Sequence, residues 1–177
     1  KSIHGTKAYL ELVKKHNVKS EIPGLLRFAL EEPDNELTAE TIRLIMQFGG
    51  TNALSKVLNG NDEEKAASLL TAYSRVGNPQ TLASLQEVML NEKYEGSLRV
   101  LAAKMLGRTY SGEDAVFNLV KADKVPKELM LPLMEGLDFG PRKDMRSRIE
   151  EYLATNPEDG KKKTFDRQAV LDARGDI

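Results

Sequence analysis

Residues 70–77, LTAYSRVG, and residues 100–107, VLAAKMLG, are built to one plan, and residues 42–49, IRLIMQFG, repeat it. In each, apolar residues stand seven, four and one positions before a glycine. The three stripes are Ile42, Ile45 and Phe48; Leu70, Tyr73 and Val76; and Val100, Ala103 and Leu106. Steps of three put each set on one face of an α-helix, and a glycine directly after it ends a helix at small steric cost. Gly49, Gly77, Gly107 and Gly136 follow one another at 28, 30 and 29 residues. A second apolar-periodic segment follows each glycine, at 53–58, 82–90 and 115–120, and at 145–153 after a longer turn at 138–141. The unit is helix, turn, helix.

Working outward, the stretch 1–32 fits the same unit, with a helix over 4–16, a turn at 18–20 and a second helix over 21–30 before Pro33. Helix starts are marked as well. Asn61 followed by Asp62, Glu63 and Glu64 supplies a cap and carboxylates at a positive helix end. Asn78-Pro79 places a cap before a proline, and Ser111 with Asp114 reads as a capping box. Pro132 inside 127–137 is expected to kink that helix near Leu129. Strand patterns are nearly missing, and Asn59-Gly60 joins two helical stretches rather than a hairpin. A unit this short cannot bury its apolar face alone. The expected fold is therefore all-α, a right-handed α-α superhelix of about five helix pairs over residues 1–154.

This pattern resembles the HEAT-like repeats in their short form, over about residues 1–154, on the stripes, the turn glycines and Pro132. A tetratricopeptide array is the competing resemblance, through Leu106-Gly107 with Tyr110. That fragment occurs once, the glycine spacing falls short of the roughly 34 residues of such a repeat, and the chain has no tryptophan.

Composition narrows the function classes. With 40% apolar residues, the 177-residue chain can bury a continuous core. Its 26 basic and 27 acidic residues nearly cancel, so no net field gathers nucleic acid or anionic lipid. The longest apolar run, residues 129–134, is far below the roughly 18 residues that suggest a membrane span. No partner of nucleic-acid type and no membrane insertion by this segment are expected. Cysteine is absent, which removes thiolate metal sites and haem attachment from these residues.

No catalytic constellation emerges. His4 and His16, the only histidines, would lie about 18 Å apart on one helix and about 120° around it. Asp62, Glu63 and Glu64 are read as helix-end stabilisation rather than a metal or acid-base cluster. Tyr73, Tyr94 and Tyr110 are read as core and turn packing rather than stacking platforms. Ser68, Ser74 and Ser84 lack both a nearby histidine and a G-x-S-x-G turn. Neither catalytic, cofactor-binding nor metal residues are expected, and no cofactor is assigned to the segment. Arg142, Lys143, Arg146 and Arg148, with Lys161-Lys162-Lys163, make the C-terminal quarter basic. Those four residues are either a solvated cap or a docking surface for a domain beyond the array.

Residues 155–177 read as a linker, 156–163, and then the start of a further domain. An amphipathic stretch at 167–173 precedes Arg174-Gly175-Asp176-Ile177. This order resembles the segment that leads into a c-type cytochrome domain in large secreted bacterial proteins of the membrane-bound-dehydrogenase-like, haem-binding kind. The resemblance implies a periplasmic or extracellular setting, and makes Arg174-Gly175-Asp176 a domain start rather than an adhesion signal. Phe165, Val170 and Leu171 are expected to dock on the last repeat. The function expected is a non-catalytic scaffold or protein-interaction module, a spacer binding neighbouring domains or another protein. An independent peptide-binding adaptor is the alternative. An enzyme related to the bilin lyases or alkylpurine DNA glycosylases, which HEAT-like repeats also resemble, is the third.

Overall fold

The computed structural model describes residues 5–156. Within them the chain forms ten α-helices and no strand: α1 (Lys7–Lys15), α2 (Ile22–Glu31), α3 (Thr38–Gln47), α4 (Thr51–Leu58), α5 (Glu63–Tyr73), α6 (Pro79–Leu90), α7 (Gly96–Leu106), α8 (Tyr110–Lys121), α9 (Lys127–Leu137) and α10 (Met145–Thr155). A single 3₁₀ turn, Lys19–Glu21, leads into α2. His4 and the expected linker, domain start and docked segment beyond Asn156 lie outside the described residues.

The stripes before the glycines form the core. Ile42, Ile45, Phe48, Leu70, Tyr73, Val76, Ala103 and Leu106 are buried, and Val100 is half-buried. Helix α5 also buries Ala66, Leu69 and Ala72, so more than one of its faces is covered. Its neighbours explain why: α2, α3 and α4 pack on it, as does α7, which in turn packs on α9. Helix α4 buries only Leu54 and Leu58, and α10 only Met145 and Ile149, the i, i+4 stripe of a helix covered from one side. Polar links tie the successive helices α5, α7 and α9. Ser97 donates to Glu63, Arg99 pairs with Glu128 at 3.4 Å, and Lys104 pairs with Glu135 at 3.0 Å.

The turns also meet. Arg43 donates to the Val76 carbonyl at 3.1 Å. Gly77 holds φ at 63°, and a Cβ there would stand 2.8 Å from Thr109 Oγ1, so both conformation and space call for glycine. Farther along, Gly140 abuts the Gly107 carbonyl and the Glu113 carboxylate.

Three local expectations change. Asp62, not Asn61, caps α5, its side chain accepting from the Lys65 N–H at 3.1 Å. Thr109, not Ser111, caps α8, because Thr109 is the last residue in extended conformation and its Oγ1 accepts from the Gly112 N–H at 3.1 Å. Gly136 ends no helix: it sits inside α9 against the Lys104 carbonyl, where a side chain would clash. Helix α9 holds Pro132 within its run from Lys127 to Leu137.

Candidate functional site

Helices α8 and α10 lie side by side, and their shared seam gathers cations and aromatic rings in alternation. At its start the Arg142 guanidinium covers the Tyr110 ring at 5.2 Å and pairs with Asp114 through both terminal nitrogens. Next, Arg148 lies 6.0 Å from the centre of Phe117, and Lys121 lies 5.4 Å from the same ring. Phe117 meets Tyr152 edge to face at 5.7 Å, and Lys121 is also 6.0 Å from Tyr152. Tyr110, Asp114, Phe117 and Lys121 recur at steps of four, three and four, which places them on one helical face.

The seam is anchored from beneath by Glu113, which is fully buried in the first turn of α8. There its charge faces the positive helix end. Its Oε1 accepts the Arg142 backbone N–H at 2.8 Å, and Oε2 lies 3.5 Å from Arg142 Nε. One arginine thus joins a buried carboxylate, an exposed carboxylate and an aromatic ring. The side-chain hydrogen bond from Arg142, with its positive charge, holds the Asp114 carboxyl below the usual carboxylate range, and Arg148 adds to the effect.

Beside the seam, on the adjoining turn, Arg108 stacks 5.4 Å from the Phe139 ring, which is 71% exposed. Tyr110 is 61% exposed. Together with Leu12 on α1 these are the large exposed apolar side chains among the described residues. Two of the three therefore stand on neighbouring turns, each held by an arginine. Tyr110, expected to pack at its turn, instead presents its ring to solvent.

The basic quartet divides. Arg142 is committed to Glu113 and Asp114, and Arg146 pairs with Asp138 at 2.6 Å and Glu150 at 3.1 Å. Lys143 donates to the Gly140 carbonyl at 3.4 Å. Only Arg148 joins the aromatic seam without an ion pair among the described residues. Its companion there is Lys121 of α8, which carries no signal in the sequence.

Elsewhere, His16 is exposed at the end of α1, and Glu63 and Glu64 lie in the first turn of α5. Tyr73 is buried, which pushes its hydroxyl up, and Ser74 donates to the Thr71 carbonyl at 2.7 Å. Ser68 and Ser84 are half-buried positions within their helices. Tyr94 and Lys93 bind Asn59 and Glu87 beside an open groove on α6 lined by Ala83, Gln86 and Leu90. Among the described residues no three His, Cys, Asp or Glu side chains gather as a metal site requires, and no helix is long and apolar enough to cross a membrane. No family model, curated protein or solved structure matches the chain.

Proposed function

We propose that this chain is a non-catalytic scaffold, a HEAT-like superhelical array whose α8–α10 seam and adjoining turns dock a protein surface. The carrying observation is the pair of exposed rings, Tyr110 and Phe139, each fixed by an arginine on adjacent turns. Aromatic and arginine side chains with little remaining freedom are the residues that anchor protein interfaces, since less entropy is lost when a partner covers them. Arg142, Glu113 and Asp114 beside Tyr110 are committed to one another, an arrangement that suits docking better than bond chemistry. The α5, α7, α9 succession with its repeated turn contacts supports the superhelical reading. The resemblance of residues 155–177 to a cytochrome-domain entry makes the partner a neighbouring domain of a larger secreted haem-binding, dehydrogenase-like protein. An independent adaptor would use the same surface on a separate protein.

Cross-linking with mass-spectrometric readout on the full-length gene product, purified with whatever accompanies it, tests this. Cross-links from Lys121, Lys124 and Lys143 to another domain support the spacer, and cross-links to a co-purifying protein support the adaptor. Links confined to the array itself would defeat both.

A further inference from the structure

Charge along the seam points to the chemistry of what covers it. Arg142 and Arg146 are neutralised by Glu113, Asp114, Asp138 and Glu150. Lys121, Arg148 and Arg108 have no carboxylate at ion-pairing distance among the described residues, yet each is placed against an aromatic ring. Arg108 Nε is buried and makes no hydrogen bond among the described residues. Three cations with rings beside them and no direct ion pair among the described residues fit an occupant that brings carboxylates and apolar side chains in alternation.

We propose that the seam binds an acidic, amphipathic peptide segment, its carboxylates meeting Lys121, Arg148 and Arg108 while its apolar side chains cover Phe117, Tyr110 and Phe139. The proposal rests on the docking function and adds the partner's chemistry. A nucleic acid fits less well, because its regularly repeated phosphates cannot avoid the exposed Asp114 carboxylate within the seam, whereas a peptide can set an apolar side chain there. The cation–ring contacts hold the charges in place before binding, so complementary carboxylates gain on-rate and selectivity.

The test uses the full chain and a fluorescent peptide alternating glutamate with leucine, read by anisotropy, against the same peptide with glutamine. The glutamate peptide is expected to bind, more weakly as salt rises, and Lys121→Glu with Arg148→Glu to lower affinity about tenfold or more. The milder Lys121→Gln with Arg148→Gln should lower it in the same direction. Lys56→Glu on exposed α4 should leave it unchanged, and circular dichroism should show each variant folded. Equal binding of the glutamine peptide, or unchanged affinity in both double variants, would overturn the proposal. So would binding of single-stranded DNA in place of the peptide, or self-association of the chain through the seam in sedimentation. Cross-links to a partner combined with indifference to peptide charge would sink the acidic partner alone and leave the docking function standing.

Discussion

Glu113 is an unusual residue to find at zero exposure, and its surroundings account for it. A buried carboxylate is tolerated only with charge or hydrogen-bond partners, and Glu113 has the Arg142 N–H, the Arg142 guanidinium and the first turn of α8. Removing it leaves the Arg142 amide and side chain without the acceptor they were folded around. Glu113→Ala is expected to lower stability by about 2–4 kcal/mol in urea unfolding, and to loosen the turn that carries Phe139. Phe139→Ala, by contrast, removes an exposed ring and should change stability by under about 0.5 kcal/mol. A large loss there would mean the ring is part of the core and not a docking group. Neither role could be read from the sequence, because Glu113 resembles any first-turn carboxylate until Arg142, a whole repeat farther along the chain, is placed over it. Lys121 escaped notice for the same reason, since its rings come from its own helix and from α10.

Helices were the legible level. Stripes at seven, four and one before a glycine are local patterns, and they mark the buried faces of α3, α5 and most of α7. Ile45→Ala, Leu70→Ala and Leu106→Ala, all fully or nearly fully buried, should each cost about 2–5 kcal/mol in the same unfolding measurement. Losses under about 1 kcal/mol at all three would break the link between stripe and core. Helix boundaries were less legible, because two hydroxyls close in sequence can both serve as a cap and only the backbone decides. Thr109 is extended and bonded to the Gly112 N–H, so Thr109→Ala should cost about 1 kcal/mol and Ser111→Ala almost nothing. Equal losses would restore the Ser111 cap. Gly136 misled because a glycine inside a helix and one after it look alike in sequence, and only the nearness of α7 separates them.

At the scale of the molecule, α5 and α7 each bury five residues, whereas the first and last helices, α1 and α10, each bury two. In the stacked array we propose, stability is a sum of local and nearest-neighbour terms, so opening should begin at the ends. Native-state hydrogen exchange is expected to be slowest in α5 and α7 and fastest in α1 and α10. Uniform protection across all ten helices would indicate a single cooperative body instead. The all-helical class was readable from the sequence, whereas the order of neighbours rests on contacts between α5, α7 and α9 that no local pattern encodes.

The seat of Gly136 on the Lys104 carbonyl carries a mechanical consequence. Where two helices meet through long side chains, rotamer changes let one slide over the other, and the joint is compliant. At Gly136 backbone lies on backbone, with Ala102 and Ala103 of α7 adding little bulk, so at that point α7 and α9 cannot slide by changing rotamers. Gly140 against the Gly107 carbonyl stiffens the neighbouring turn in the same way. A pull exerted at the α8–α10 seam therefore meets two stiff points, at Gly136 and at Gly140, before it reaches α7.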